Sequence, residues 1–423
     1  MNISMLGRRV FTGFAALILV TASARSLAAE VLSWEDCVRE TREKNQDLVS
    51  AKKKVEEAWA DRAVTRSAVL PDVSASSSGT RRSTDDVETT AYSAGVSGQQ
   101  LVFDGFKASH DLAAARENIK AAEYNYAVTS SNIRLELWSS FIGLLGAQEA
   151  LRVTQDILDR RQQNVDLVTL RYQVGREHRG ALMTAQANLS EAQYDLEEAR
   201  RNVSLYQRRL VKAMGREVFG PVEVRGDLVV PVSGEEPPSF EKIVEASPLL
   251  KQVVAQKESA RFGLKAARAS LFPKVYINAG ATRSVAKWLP ETEGWSAGVS
   301  MAIPLFEGGK TQAHIRKARS AFERAEADER SERQDVILTL AEAWTQWQND
   351  VSFVFVREEF LRASEERAMI AEGQYSSGLV TFDDWTIIED DLVNYQKSVL
   401  QAKVNALVAE GSWLQAKGVT IDD

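Results

Sequence analysis

The chain is poor in the residues that staple small exported proteins or carry out chemistry. It has one cysteine, Cys37, in 423 residues, so no internal disulfide can form. The three histidines, His110, His178 and His314, are scattered, with no i, i+4 pair and no cysteine partner for a metal site. No nucleophile elbow or phosphate loop occurs in the strand–turn–helix context that such motifs need. Carboxylates are many but spread over solvated helix faces, where chance pairs mean little. These absences argue against an enzyme and give no reason to expect a cofactor, a metal or a catalytic residue. Excess positive charge is missing too: the formal net charge is −7, which argues against general nucleic-acid binding. Beyond the first 29 residues no stretch approaches 18 apolar residues, so no transmembrane helix is expected in the mature chain. Proline is absent between 72 and 220 and again after 304. Proline breaks helices, so those two gaps are where very long helices can form.

What is present begins with an address. Residues 1–29 read as a secretory signal: Arg8 and Arg9, an apolar core from Val10 to Val20, then small residues, with cleavage expected after Ala29. Its removal takes three arginines and no acid, so the mature chain is more acidic still. The junction has no cysteine for a lipid anchor. Cys37 is expected to pack on a helix face with Trp34 and Val38.

The chain then repeats itself. Tyr92-Ser93-Ala94-Gly95-Val96-Ser97 returns 203 residues later as Trp295-Ser296-Ala297-Gly298-Val299-Ser300. Phe103-Asp104-Gly105 returns as Phe306-Glu307-Gly308, and Tyr172-x-x-Gly175 as Tyr375-x-x-Gly378. Upstream the offset is 202, carrying Leu70-Pro71 to Phe272-Pro273 and Asn45-Gln46 to Ser247-Pro248. A unit of this length used twice implies pseudo-twofold architecture. The expected units are 30–214 and 239–423, joined by a Pro/Gly-rich linker or equatorial segment, 215–238, with a β-like run from Asp227 to Val232.

Periodicity fills in each unit. Ile133, Leu137, Phe141, Leu144, Leu145, Leu151, Ile157, Leu158, Val165 and Val168 recur at helical steps, so Lys107–Arg171 should be one helix of roughly 97 Å. Gln312–Glu372 repeats it, and returning helices follow at Leu182–Met214 and Phe382–Lys417. Between each pair of helices Gly175 or Gly378 supplies the turn. Residues 72–103 and 274–306 instead alternate with period two and read as β-hairpins. The expected fold is mainly α with a small β part: a long helical barrel plus four strands per chain.

Those strands are weakly apolar on one face and small or polar on the other, the pattern of a transmembrane barrel with a wet lumen. Four strands cannot close such a barrel, and open edges cannot sit in lipid. Other copies must complete it. Three copies give about twelve strands and a homotrimer; two give about eight, the smallest closed barrel of this kind. Two ordinary hairpins capping a periplasmic helical bundle remain the alternative.

In order and spacing, the signal, the duplication, Leu70-Pro71, Tyr92 to Ser97, Phe103-Asp104-Gly105, Arg171-Tyr172-x-x-Gly175, Phe306-Glu307-Gly308-Gly309 and Tyr375-x-x-Gly378 resemble the TolC-type outer membrane efflux protein family over about residues 32–417. The resemblance implies a homotrimeric exit duct of a tripartite efflux pump or type I secretion system. Its β-barrel would open the outer membrane lipid, and its helical barrel would cross the periplasm. A periplasmic adaptor would join it to an inner-membrane transporter. The rival is a non-conducting periplasm-spanning scaffold or tether.

The resemblance also marks residues. Val174, Gly175 and Arg176, with Ser377, Gly378 and Leu379, match the tips that dock the adaptor; a plain chain reversal is the alternative. His178 and Arg179 lie beside one tip only. Asp384 matches an acidic position lining the closed periplasmic entrance, where three copies would form a ring that favours cations; helix capping is the alternative. The first unit has Ala181 there, and Ile387 replaces a second acid one turn on. Phe103, Asp104, Gly105, Phe306, Glu307 and Gly308 are expected to be structural strand–helix junctions, with an acid at each helix start and Pro304 ending the ladder. Tyr92, Trp295 and Trp288 are candidates for an interfacial aromatic girdle or for ordinary packing.

Overall fold

The computed structural model describes residues 30–84, 87–231, 236–285 and 292–423. The proposed signal segment and Trp288 lie outside the described residues. The chain opens with a short strand, β1 (Glu30–Leu32), then helices α1 (Trp34–Lys44) and α2 (Gln46–Ser67). Asn45 both ends α1 and starts α2: its Oδ1 accepts from the Asp47 and Leu48 amides at 3.0 and 3.2 Å, and its Nδ2 donates to the Ala213 carbonyl at 2.9 Å. Cys37 is fully buried, and burial pushes its thiol up to about 12.

Strands β2 (Asp72–Thr84) and β3 (Val87–Phe103) follow, then α3 (Lys107–Gln173) and α4 (Arg179–Ala213). After the short strand β4 (Val222–Val224) come α5 (Phe240–Ile243), α6 (Pro248–Ala269), β5 (Lys274–Val285), β6 (Thr292–Ala302), α7 (Lys310–Ser377) and α8 (Phe382–Ala416). The proline-free gaps therefore hold helices of 67 and 68 residues, each about 100 Å long. Each runs past its sequence-based C-terminal limit, and in α7 the buried Ala368, Ala371 and Tyr375 keep the helical spacing up to the tip.

Val232 lies outside the described residues, and the rest of the expected 227–232 run differs from expectation. Residues 225–230 join no ladder. The strand forms at Val222–Val224 instead, pairing in parallel with Glu30–Leu32. Val222 and Val224 are buried beside Leu32 in a cluster with Leu137, Phe141, Leu144, Leu210 and Met214, so burial, not alternation alone, selects the paired residues. This cluster pins the start of the described chain to the middle of α3.

The four long strands form one antiparallel sheet in the order β2-β3-β5-β6. The β5–β6 ladder ends at Lys274 opposite Ala302, two residues before Pro304. The α3 helix packs against α2, α4, α6 and α8, and α7 against α6 and α8. Sheet and helix turns thus occupy opposite ends of a long helical body. No helix among the described residues is long and apolar enough to cross a membrane.

Candidate functional site

At the far end, α3 and α7 stop in the same way. Val174 follows α3, Gly175 turns at φ +73°, and the Arg176 amide donates back to the Arg171 carbonyl at 2.8 Å. In the second unit Gly378 turns at φ +82°, and the Leu379 amide donates to the Gln374 carbonyl at 2.8 Å. Both glycines take the left-handed geometry that closes a helix by satisfying its last carbonyls. Val174 and Leu379 are 69% and 78% exposed, and Gly175, Arg176, Ser377 and Gly378 are exposed beside them. The structure brings the two expected tips together.

They are fastened by residues that sequence reasoning left without a role. Arg171 donates to the Tyr375 and Ser376 carbonyls at 2.8 and 3.2 Å, with its guanidinium 4.5 Å from the Tyr375 ring centre. The Tyr375 hydroxyl donates to Glu177 at 2.9 Å, and its ring stacks on Trp385 at 4.4 Å. Tyr375 is fully buried with Val168, Ala181, Ala371, Phe382 and Trp385. Burial first, then the Glu177 hydrogen bond, raises the Tyr375 phenol above its usual range. Its repeat counterpart Tyr172 is 40% exposed. His178 caps α4, its Nδ1 accepting from the Ala181 amide at 3.1 Å.

Asp384 lies exposed in the first turn of α8. Its amide donates to Thr381 Oγ1 at 3.2 Å, and the Thr381 hydroxyl donates back to its carboxylate at 2.7 Å. Thr381 therefore caps the helix, and the Asp384 carboxylate holds that cap while facing solvent. The next acids along α8 are engaged: Arg160 grips the nearly fully buried Glu389 with two bonds of 2.7 and 2.8 Å, and Arg161 bonds Asp390 at 2.5 Å. These pairs tie α3 to α8 across 229 residues of sequence. The only sequence signal for them is that Arg160-Arg161 and Glu389-Asp390 are matched doublets. Among the described residues no cluster of histidine, cysteine and carboxylate groups could hold a metal ion.

The strand–helix junctions differ from each other. Asp104 is buried, and its carboxylate accepts from the Ala108 amide at 2.8 Å. Gly105 is packed so tightly on the α6–β5 turn that a Cβ there would lie 2.4 Å from Phe272 Cβ. Phe106 then starts α3 at φ +69°, the only non-glycine with positive φ among the described residues, and its ring meets Phe103 edge-on at 5.7 Å. In the second unit Gly309 takes the equivalent place at φ +85°. There Glu307 accepts from the Thr311 hydroxyl, Gly308 is exposed, and Leu305 and Phe306 are 92% and 88% exposed.

The sheet register sorts the strands into two faces. One carries Ser74, Ser78, Ser93, Ser97, Asn278, Thr282, Ser296 and Ser300, with the pairs Ser74–Ser97, Ser78–Ser93 and Asn278–Ser300 hydrogen bonded at 2.8–3.0 Å. The other carries Val73, Ala75, Val96, Ile277, Ala279, Ala281, Val299 and Met301, together with Tyr92 and Trp295. The two aromatics share that face but sit opposite positions four residues apart on β5. Hydroxyls on one face and apolar groups on the other suit a wet lumen and a lipid exterior.

The family model described as outer membrane efflux protein matches residues 37–216 and 240–418. The chain belongs to the outer membrane efflux protein family. This efflux-family chain is 24% identical to the outer membrane efflux protein BepC of Brucella suis biovar 1 (strain 1330), over 96% of the chain and 92% of the relative. It is 24% identical to the probable outer membrane lipoprotein SilC of Salmonella typhimurium, over 88% and 83%. Its fold matches a crystal structure of CusC with a TM-score of 0.82 at 18% identity, over 90% of this chain and 91% of that one. The efflux-family chain is thus a non-enzymatic export duct of the outer membrane that extends into the periplasm.

Proposed function

We propose that three copies of this chain close one twelve-stranded barrel, and that the duct so formed joins a periplasmic adaptor and an inner-membrane transporter. The observation that carries this is the four-stranded sheet, whose β2 and β6 each lack a partner on one side among the described residues. Unpaired ladder edges are not tolerated in lipid, and the sheet already has one apolar and one hydroxyl-lined face. Pairing β6 of one copy with β2 of the next removes every edge. The units 30–214 and 239–423, linked by 215–238, then alternate around the threefold axis.

The tips Val174, Gly175, Arg176 and Ser377, Gly378, Leu379 are the adaptor-docking surface. In support, each presents an exposed aliphatic side chain on a turn held by a glycine. Asp384 is the entrance acid: its exposed carboxylate, repeated three times, makes a ring that attracts cations and repels anions. The test is single-channel recording of the purified mature protein in a planar bilayer. Small cation-selective openings are expected, and Asp384→Asn should lower the cation preference by roughly a factor of two or more. Folded protein that neither inserts nor conducts would establish a tether instead.

A further inference from the structure

Conduction does not account for the charges at the outer end of the apolar face. Arg81 and Arg283 stand 202 residues apart, the offset of the internal repeat in this part of the chain. The register puts both on the apolar face, Arg81 opposite Thr90 and Arg283 opposite Glu293. On β5 Arg283 follows Val275, Ile277, Ala279 and Ala281 on the same face, and on β2 Arg81 stands the same eight residues beyond Val73, after Ala75, Ser77 and Gly79. Eight residues from Val275 to Arg283 rise about 26 Å along the strand, or roughly 20 Å along the membrane normal at a tilt near 40°. The exposed Leu305 and Phe306 extend the band below, to about the 25 Å typical of an outer-membrane barrel. Both guanidinium groups therefore emerge where hydrocarbon gives way to outer-leaflet headgroups.

Each arginine has a carboxylate across the strand, Glu88 for Arg81 and Glu293 for Arg283. The arginine side chains are still 70% and 60% exposed. An exposed pair of this kind contributes little to stability. What it does is orient the guanidinium while leaving most of its five donors directed outward. A planar fork of donors at headgroup level fits phosphate oxygens. Arg82, next in sequence, falls on the hydroxyl-lined face and is not part of this set.

We propose that Arg81 and Arg283 form a repeated binding site for the phosphorylated headgroups of outer-leaflet lipid. The inference rests on reading the apolar face as the lipid exterior, so the experiment separates the two. The mature protein is reconstituted with lipid A, and retained lipid is measured by native mass spectrometry for the wild type and for Arg81→Gln/Arg283→Gln. Wild type should retain diphosphorylated lipid A over its dephosphorylated form by about thirtyfold, the scale of two basic residues at a charged surface. The double variant should lose that preference while keeping its oligomer and thermal transition. Equal retention of the two lipids, or an unchanged preference in the variant, would overturn the site. Competition by low-millimolar inorganic phosphate as effective as lipid A would make it a free-anion site and overturn the lipid assignment. In parallel, fluorescence quenching by brominated lipid, wild type against Trp295→Phe, reports the orientation of the face. Quenching at Trp295 without phosphate preference removes only the lipid site; no quenching at Trp295 removes the exterior reading itself.

Discussion

Tyr172 and Tyr375 occupy the same place in the same repeated motif, three residues before a turning glycine, and only one is a core residue. Tyr375 lies under Arg171, stacks on Trp385 and bonds Glu177; Tyr172 is 40% exposed. The strand–helix junctions at the other end show the opposite bias. There the first unit is the packed one, with Asp104 and Gly105 buried, and the second leaves Leu305 and Phe306 exposed. Duplication supplied the backbone twice, and each copy kept its geometry. Side chains then diverged so that one copy at each end is locked and the other remains available for contact.

The harshest way to break the comparison is at the turns themselves. Replacing Gly175 and Gly378 together with isoleucine forces a β-branched residue into left-handed geometry at both tips. Export should be lost while oligomers still reach the membrane; export at the wild-type rate would remove the docking role from both turns. Next in size is the tyrosine pair. Tyr375→Ala empties a buried aromatic site and should cost about 3–5 kcal/mol of local stability. Tyr172→Ala should cost no more than about 0.5 kcal/mol. Hydrogen exchange at the ends of α3 and α7 measures both, and equal costs would abolish the distinction between the tips.

A subtler test uses pH. The Tyr375 phenol is raised in the folded chain, chiefly by burial. The unfolded chain therefore loses that proton first, near the ordinary value of 10.0. The stabilisation is complete below that pH and falls as pH rises above it. Tip protection in the wild type should decline above pH 10 more steeply than in Tyr375→Phe, which itself gives up about 1 kcal/mol of hydrogen bond at neutral pH. Parallel declines would show that the phenol does not titrate against the fold. The smallest effect concerns the junctions: Phe106→Gly relieves a positive φ worth about 1 kcal/mol and removes the ring that meets Phe103 edge-on. Thermal denaturation should rise slightly or stay level, whereas Gly309→Phe should lower it.

Much of the architecture was legible because it depends on backbone rules that leave traces in spacing. Proline gaps marked α3 and α7, and period-two alternation marked the four long strands. The glycines marked the turns. The equatorial strand was misplaced, since the β-branched run in Asp227–Val232 is longer than Val222–Val224, and only burial beside Leu32 and Phe141 picks out the shorter one. The lock at the tips was hidden for a similar reason. Arg171 and Gln374 share a repeat position, but nothing local says that the arginine crosses to the other turn. The Arg160–Glu389 pair spans too much sequence for any periodic signal. Phe106 did have a clue: its counterpart is Gly309, and a glycine in one copy hints at left-handed backbone in both.

Cys37 acquires a different meaning once the chain is placed outside the cytoplasm. In an oxidising compartment an exposed lone thiol would join neighbouring ducts covalently or pair with passing small thiols. Sealed in the equatorial core, with deprotonation deferred to about 12, this sulfur is a poor nucleophile at physiological pH. The duct can therefore carry a cysteine through its working life without a partner for it, and its redox history leaves no mark on its assembly.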